Sequence, residues 1–420
     1  MRFGLLTALI ALLALGVAGT TETTTSRTAA VKRPTTVLAI RGMGRGATEL
    51  RRVDRRTFAP VGNRAVPLGA INGAWALSPD GRQLAVGVED ALGLRIVDVN
   101  RMRALADVKT RNGQISVAAW LTPRRIVGVE ETGLFVVDPS ERRLLHSQPL
   151  EEHPIGVGRT SDELVLLLSP RDKIGAARLA LVDAEGQSRS VVLDRIVAGW
   201  RYQVEADAPM GESWQPGLAV DSAAGRAFVV GGGSPVAEID LASLTVRYHD
   251  LARPASLLGR LRNWLEPQAH AKGPVAGSWR TVRWLGGGSL AFTGEDGRVV
   301  GPGQVETKAA ALTLVDTRSW SARTLEQRAN GIAFVGGTLL ATLHDPFERG
   351  AGVGLLGFNR DGSKRFHLFG AQQVGLMSSI DDRVVVDAIG GPRVVNVRSG
   401  RVARVTRVLP QLLTGSMQRY

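Results

Sequence analysis

A short pattern recurs along this chain of 420 residues: two apolar residues, then Asp or Asn, then residues that favour a turn. The copies are RRVD (Arg51–Asp54), LRIVDVN (Leu94–Asn100), FVVD (Phe135–Asp138), ALVD (Ala180–Asp183), AEID (Ala237–Asp240), TLVD (Thr313–Asp316), LGFN (Leu356–Asn359) and VVNV (Val394–Val397). An apolar run that ends on Asp predicts a strand entering a hairpin, because the carboxylate can accept a backbone N–H two residues on. Repetition of this kind predicts one domain built from similar β units.

The fullest unit, residues 71–110, contains four short apolar or alternating runs separated by turn signals. Four strands in about forty residues are typical of one blade of a β-propeller. The next unit repeats the pattern, and its Trp120-Leu121 and Glu130-Glu131 match Trp284-Leu285 and Glu295-Asp296 much later in the chain. We therefore predict an all-β fold in which residues 36–420 form a single β-propeller of four-stranded blades. Eight motif copies predict eight blades, and seven is the alternative if a divergent unit merges with a neighbour.

The two ends of the propeller sequence complement each other. The first unit, Thr36–Val66, lacks an innermost strand, and one apolar stretch, Leu409–Met417, is left over after the last unit. Pairing of this C-terminal strand with the N-terminal blade would close the ring and remove the free edges of the sheet.

Two stretches resemble a known family. SPDGRQLAVG (Ser78–Gly87) and AFVVGGGSPVAEID (Ala227–Asp240) are similar to bacterial WD40-like and YVTN-type β-propeller repeats, although a literal YVTN string and the GH and WD dipeptides of eukaryotic WD40 repeats are absent from the sequence. The resemblance covers nearly all of the chain after residue 35. It implies a fold and not an activity, so function has to be argued from the site.

The N-terminus predicts export. Residues 1–18 combine one Arg, an apolar run and small residues at Gly16 and Ala18, which is the layout of a signal peptide, with an uncleaved membrane anchor as the alternative. Residues 19–35 are a Thr-rich spacer, and the chain has no Cys. We expect a secreted or periplasmic monomer without disulfides. The net charge of +13 would suit an anionic partner such as a wall polymer or a membrane surface, and export argues against nucleic acid. Because arginines are scattered through most turns, the favoured interpretation is a solvated basic surface without a dedicated partner.

Loop lengths distinguish the two ends of the predicted propeller. The turns between strands 1 and 2 and between strands 3 and 4 are short, and their end of the propeller is called the turn end below. The loops between strands 2 and 3 and the blade-to-blade connections emerge at the other end, the insertion end. All long insertions belong to the second set: Ser169–Ala176, Arg195–Trp214, Ala252–Ser278, Glu295–Ala310 and Asp345–Gly352. Long loops gathered at one end of a rigid scaffold predict the functional surface.

Acidic and aromatic residues also collect at the insertion end. The candidate binding residues are Glu89, Asp90, Glu130, Glu131, Glu151, Glu152, His153, Trp200, Tyr202, Trp264, Glu295, Asp296, His344 and Asp345. Carboxylates that converge there would suit Ca²⁺ or another divalent cation, although their spacing carries no metal signature. The alternative interpretation is that charged residues are simply common in exposed turns. Residues 255–266 predict an amphipathic helix, which would cover part of this end or bind a membrane or a partner.

Two classes of function remain. The first is a non-catalytic module that binds a ligand or a protein, or serves as a scaffold, and it is favoured because the sequence contains no recognisable catalytic motif and requires no cofactor. The second is a metal-assisted hydrolase of lactonase type with an acidic site on the propeller axis.

Overall fold

The computed structural model describes residues 36–44, 47–89, 92–111, 114–205, 208–251, 275–301, 304–343, 354–370, 372–404 and 411–413. Over these residues the chain is a single β-propeller whose secondary-structure elements are all strands. The predicted signal peptide, the Thr-rich spacer and the helix at 255–266 lie outside the described residues. Within the described ranges no helix is long and apolar enough to cross a membrane.

The strands follow one another along the whole chain. The first half contains β1 (Thr36–Gly44), β2 (Ala47–Asp54), β3 (Pro60–Gly69), β4 (Ile71–Leu77), β5 (Gln83–Val88), β6 (Gly93–Asp98), β7 (Arg103–Lys109), β8 (Ile115–Thr122), β9 (Arg125–Glu130), β10 (Gly133–Asp138), β11 (Arg143–Pro149), β12 (His153–Arg159), β13 (Leu164–Ser169), β14 (Ile174–Val182), β15 (Ser188–Glu205) and β16 (Ala208–Gln215). The second half contains β17 (Gly217–Asp221), β18 (Arg226–Val230), β19 (Val236–Asp240), β20 (Val246–His249), β21 (Val275–Gly286), β22 (Ser289–Gly301), β23 (Gln304–Ala309), β24 (Leu312–Asp316), β25 (Ser321–Glu326), β26 (Ala329–Val335), β27 (Thr338–Leu343), β28 (Gly354–Phe358), β29 (Lys364–Leu368), β30 (Val374–Ile380), β31 (Arg383–Ala388), β32 (Arg393–Asn396), β33 (Val402–Arg404) and β34 (Gln411–Leu413).

Hydrogen bonding divides the described strands into six four-stranded blades and one larger sheet. The blades are β3-β2-β1-β34, β4-β5-β6-β7, β8-β9-β10-β11, β17-β18-β19-β20, β26-β27-β28-β29 and β30-β31-β32-β33. The ten-stranded sheet runs β12-β13-β14-β15-β16-β21-β22-β24-β25, with β23 paired to β22. The expectation of eight separate blades, or seven, was therefore wrong. The reason is the insertion at Arg195–Trp214, which extends β15 past its neighbours and returns as β16 to pair with β21, so two groups of strands merge.

The core lies between neighbouring sheets, as expected when each blade must bury both faces. Between the β4–β7 and β8–β11 blades, Leu94, Ile96 and Phe135 are fully buried in one cluster. In the same cluster the buried indole of Trp120 donates its Nε1–H to the Ala76 carbonyl at 2.9 Å. Burying an aromatic ring while its N–H is satisfied makes Trp120 a core residue.

The first and last blades also share a core and a strand pairing. Ala39, Val53 and Phe58 pack with Ile380, Val385 and Val394. β34 pairs with β1 in antiparallel register, with Leu38 opposite Leu413 and Ile40 opposite Gln411. The most C-terminal described strand therefore occupies the innermost position of the N-terminal blade.

The turn end is built from the repeated Asp. In the first copy of the motif, one Asp54 carboxylate oxygen accepts the N–H groups of Arg56 and Thr57 at 2.9 and 2.7 Å. The equivalent side chain accepts a backbone N–H two or three residues on at Asp98, Asp138, Asp183, Asp240, Asp316 and Asn396. In the LGFN copy, Asp361 accepts from the Ser363 N–H instead. The predicted role of the motif as a turn initiator is confirmed in the other copies.

Asp138 is the most buried of these carboxylates. Burial raises its pKa, but the Ser140 hydroxyl, the backbone N–H groups of Glu141 and Ser140, and the Arg125 guanidinium all donate to it and lower the pKa to about 2. The charged form of Asp138 is therefore a structural component of its turn.

Candidate functional site

Three of the predicted insertions, Arg195–Trp214, Ala252–Ser278 and Glu295–Ala310, contribute strands to one sheet at the insertion end. Residues 199–205 of β15 pair antiparallel with 208–214 of β16, and 211–215 of β16 pair in parallel with 275–279 of β21. Residues 294–297 of β22 pair with 277–280 of β21, and 295–301 of β22 pair with β23. We call the assembly of residues 199–205, 208–215, 275–279, 295–301 and 304–309 the bridging sheet. It joins strands on either side of the β17–β20 blade.

Glycine makes the junctions of the bridging sheet possible. At Gly294, β22 leaves its partner β24 and takes up β23 as its new partner. Gly294 has a φ of +153°, and a β-carbon there would lie 1.8 Å from the Trp279 carbonyl oxygen. At Gly199, where β15 passes from β14 to β16, φ is +111° and a β-carbon would lie 2.1 Å from the Lys173 carbonyl oxygen. Only glycine fits such close backbone approaches.

One face of the bridging sheet is buried against the β17–β20 blade. Ser278 lies on this face, and Arg280 follows on the same face of β21 just beyond the bridging sheet; both are buried. A β-carbon at Gly232, in the turn between β18 and β19, would lie 2.0 Å from the Ser278 Oγ. The Arg280 guanidinium donates from Nη1 to the carbonyls of Trp279 and Glu295 at 3.0 and 3.1 Å, and from Nη2 to Asp296 Oδ1 at 2.6 Å. Arg280 therefore fixes β21 to β22 at the base of the bridging sheet.

The opposite face carries two exposed tryptophans. Cross-strand partners share a face of a sheet. The register pairs Trp200 with Ser213 and Ser213 with Gly277. Two positions further along the same strands, Gln215 pairs with Trp279, which also pairs with Glu295, so both tryptophans lie on one face. Trp200 is 48% exposed and Trp279 is 41% exposed. From the strand spacing and rise, their Cα atoms are about 12 Å apart. The small residues Ser213 and Gly277 leave the space between the two indoles open.

Trp279 also lines a cavity of about 620 Å³ on the propeller axis. The innermost strands β4, β8, β12, β17, β21 and β26 all contribute to its wall. Among the described residues of this wall the charged side chains are Arg159, Arg280 and Arg283, and none is acidic. The remaining wall combines polar backbone groups with apolar side chains such as Ile155, Val157 and Leu218. The site is thus a channel of mixed polarity with arginines and an indole on its wall.

Four acidic candidates of the sequence analysis are partnered by other side chains or by backbone, and no candidate among the described residues lines the axial cavity. Glu130 is only 1% exposed and accepts the Arg111 N–H at 3.1 Å. Glu152 pairs with Arg178 at 2.6 Å, and Asp296 pairs with Arg280. Glu295 accepts the Asn330 side-chain N–H at 3.1 Å.

The remaining candidates divide between exposed loops and undescribed positions. Glu89, Glu131, Glu151 and His153 are exposed. Partial burial and the charge of Arg171 lower the pKa of His153, against an opposing effect of Glu131. Asp90, Trp264, His344 and Asp345 lie outside the described residues, and of Tyr202 only the backbone, in β15, is described.

Sequence reasoning missed Trp279 and the three channel arginines. Among the described residues, no group of three or more His, Asp or Glu is arranged to hold a metal ion. The signal that was available for Trp279 is its position at the start of an innermost strand, directly beside an insertion. The arginines carried no comparable signal, because the sequence contains many arginines and most occupy turns.

Comparison with known proteins supports the fold. No protein-family model matches the chain, and no curated protein matches its sequence. The structure of the dihydro-heme d1 dehydrogenase NirN in complex with DHE is similar, with a TM-score of 0.56 and 12% identity, covering 90% of this chain and 74% of that one.

Two further structures align less well. They are apo AztD from Citrobacter koseri, with a TM-score of 0.48, 11% identity and coverages of 88% and 94%, and BamB from Moraxella catarrhalis, with a TM-score of 0.45, 10% identity and coverages of 85% and 89%. At these identities the likeness concerns the fold alone, which is a β-propeller. The YVTN subtype remains a prediction.

Proposed function

We propose that this protein is a non-catalytic binding module that takes up a small-molecule or protein ligand at its insertion end. One observation carries the proposal: Trp279 belongs to the exposed face of the bridging sheet and also lines the axial cavity. A concave, largely apolar site with a few polar groups at its mouth is the usual form of a ligand site. An exposed indole beside it supplies a rigid contact at low entropic cost.

The wall of the cavity favours binding over metal-assisted hydrolysis. A lactonase-type site needs carboxylates that converge on a metal, whereas the charged groups on the described wall are arginines. Metal analysis of the purified protein separates the two functions. A stoichiometric divalent cation such as Ca²⁺ would favour the hydrolase, and we expect none.

Localisation and ring closure are part of the same proposal. Export would follow from cleavage after the apolar N-terminal run, and N-terminal sequencing of the mature protein would find a start near residue 19.

We propose that the pairing of β34 with β1, together with the core shared by the first and last blades, closes the ring. A closed ring gives the insertion end a rigid base.

The binding proposal is tested by a thermal-shift screen of small-molecule ligands on the full mature chain. Ligands that raise the melting temperature of the wild type should lose this effect with Trp279→Ala. Val402→Ala is the matched control, because Val402 is an exposed apolar residue on β33, which does not contribute to the cavity wall. Stabilisation that survives Trp279→Ala would contradict the proposed site.

A further inference from the structure

Trp279 has a polar side chain on either side of it on the exposed face of the bridging sheet. Its cross-strand partners are Gln215 of β16 and Glu295 of β22. Neighbouring strands are about 5 Å apart, so the three side chains are close enough to contact one ligand. Gln215 is exposed and Glu295 is half-buried. The face therefore presents an indole between an amide and a carboxylate, both of which accept hydrogen bonds from hydroxyl groups.

The carboxylate of Glu295 is held in place by the neighbouring sheet. The Asn330 side-chain amide donates to Glu295 Oε1 at 3.1 Å. The Asn330 Oδ1 is 3.3 Å from the hydroxyl of Thr342, a buried residue of β27, and this contact orients the amide toward Glu295. Among the residues that the structure describes, none donates a hydrogen bond to Glu295 Oε2. Glu295 is thus a preorganised acceptor beside the indole.

The other flank of Trp279 supplies a donor as well as acceptors. The Gln215 Nε2 donates to Ser213 Oγ at 3.3 Å, so the Ser213 hydroxyl keeps its own proton for a further hydrogen bond. Ser213 lies opposite Gly277, and these two small residues form a low floor next to the indole. The flat aromatic ring is therefore bordered by groups that can both give and take hydrogen bonds.

This combination matches the chemistry of a sugar. A pyranose ring has a face of C–H groups that packs on the electron-rich face of an indole, and a rim of hydroxyls that each donate and accept. A purely apolar ligand would desolvate Gln215 and Glu295 without replacing their hydrogen bonds, which is costly. An anionic ligand would be repelled by the Glu295 carboxylate. The site therefore favours a neutral, hydroxyl-rich ring.

We infer that the ligand of the proposed site is a neutral oligosaccharide, with one pyranose ring stacked on Trp279 and its hydroxyls bonded to Glu295 and Gln215. This inference rests on the proposed function, because it assigns the ligand class of the same site. Trp200 lies on the same face about 12 Å away. A chain of linked sugars would extend along this face beyond Trp279, so affinity should increase with the number of sugar units.

Isothermal titration calorimetry on the full mature chain tests the inference. The neutral probes are glucose, cellotetraose, mannotetraose and chitotetraose, with tetragalacturonate as the acidic probe and tetraglycine as the peptide probe. We expect at least one neutral tetrasaccharide to bind at least about tenfold more tightly than glucose, tetragalacturonate and tetraglycine. Trp279→Ala should abolish this binding, whereas Trp279→Phe should retain part of it because a flat ring remains.

A matched pair of carboxylate variants tests the polar contact. Glu295→Gln should weaken the tetrasaccharide about tenfold, because a charge-assisted hydrogen bond becomes a neutral one. Glu306→Gln is the control. Glu306 is an exposed residue of β23 in the same sheet, and it lies on the other face because Ala309, three residues further, is the partner of Glu295. This control should bind the tetrasaccharide as the wild type does.

The outcomes separate the inference from the function it rests on. If no neutral tetrasaccharide binds, while a ligand from the thermal-shift screen still requires Trp279, the inference fails and the proposed function stands. Tighter binding of tetragalacturonate or tetraglycine than of the neutral probes would likewise replace the saccharide by an anion or a peptide. Tetrasaccharide binding that survives Trp279→Ala, or that Glu295→Gln leaves unchanged, would overturn the proposed stacking and hydrogen bonding. If neither the probes nor the screen yields a ligand that depends on Trp279, inference and function both fail.

Discussion

The two ends of this propeller are built by opposite rules. At the turn end each hairpin reuses one device, an Asp or Asn at the end of a strand that accepts the N–H groups of the following turn, as Asp54, Asp138 and Asn396 do. At the insertion end nothing repeats: three insertions of different length contribute to a bridging sheet that merges two groups of strands. The repeated end stabilises hairpins, whereas the unrepeated end creates a concave surface with exposed tryptophans.

Under the proposed function, this difference assigns stability to the turn end and binding to the insertion end. A turn-initiating Asp or Asn that recurs in the hairpins contributes to stability wherever it occurs, and it cannot provide specificity for one ligand. A sheet that occurs at one place can position particular residues such as Trp279 and Arg280. Perturbations of the turn end should therefore reduce stability, whereas perturbations of the bridging sheet should reduce binding.

The largest effect is expected from removing the strand that we propose closes the ring. Deleting residues 409–420 removes β34 and leaves the inner edge of the first blade open. Thermal melts should show the loss of a large fraction of the free energy of unfolding, which is roughly 5–15 kcal/mol in natural proteins. Deleting the spacer, residues 19–34, is the control and should leave the melt unchanged. An unchanged melt for the C-terminal deletion would show that the ring does not need this strand.

Glycine substitutions compare the two ends directly. Gly294→Val places a side chain 1.8 Å from the Trp279 carbonyl oxygen, so the bridging sheet must shift, at a cost well above about 1 kcal/mol. At the turn end Gly225 has a φ of +62° with no atom within 4 Å of a β-carbon, so Gly225→Ala should cost only about 1 kcal/mol. Limited proteolysis should cut the first variant within residues 199–215 or 294–309 while the remaining blades resist. Equal protease resistance of the two variants would argue against strain at Gly294.

Asp substitutions test the turn end alone. Asp138→Ala leaves the buried Arg125 contact and two turn N–H groups unpaired and should cost on the order of 1–3 kcal/mol in chemical denaturation. Asp240→Ala, at an exposed turn with the same device, should cost less. Neither variant should alter ligand binding at the insertion end. A change in ligand affinity without a change in stability would show that the two ends are not independent.

The smallest predicted effects are decreases in melting temperature at acidic and at alkaline pH, each of which depends on a different region of the molecule. The hydrogen bonds of the turns lower the pKa of Asp54, Asp98 and Asp240, and that of Asp138 lies at about 2. A lowered pKa contributes stability above the unfolded value near pH 4, and this contribution disappears as the pH falls toward 2. The melting temperature should therefore decline steadily across that range. A melting temperature that stays level between pH 4 and pH 2 would contradict a structural role for the turn carboxylates.

The alkaline limit involves Tyr248, on the outer strand β20. Burial and a 2.5 Å hydrogen bond to Asp194 raise the pKa of Tyr248 to about 12. A raised pKa contributes stability below about pH 10, which is lost as the pH rises toward 12. Tyr248→Phe should remove this alkaline decline and leave the acid decline intact. Persistence of the full alkaline decline in the variant would assign it to other groups.

Much of the fold could be predicted from the sequence, because the information is local and repeated. The motif copies located the third strand of the units. The number of separate blades could not be predicted, since the parallel pairing of 211–215 with 275–279 joins residues about sixty positions apart. Strand pairing at that distance leaves no periodic signal in the sequence.

The site was predicted less well than the fold, for a physical reason. Loop length identified the insertion end, but acidic residues in exposed loops were given too much weight, and Glu152 and Asp296 are paired with arginines. The channel arginines become visible only when the innermost strands are brought around one axis. Whether a charge on a strand faces a cavity depends on tertiary packing and not on its neighbours in sequence.

Hydrogen–deuterium exchange with and without a ligand from the thermal-shift screen tests the central claim, binding at the insertion end, most directly. Protection should appear in peptides from β12, β16, β17 and β21, whose residues line the cavity, and Trp279→Ala should remove it. Peptides that contain the turns at residues 139–142 and 241–245 should exchange at the same rate in both states. Protection confined to those turns, with no change around the cavity, would contradict the assignment of the insertion end as the binding end.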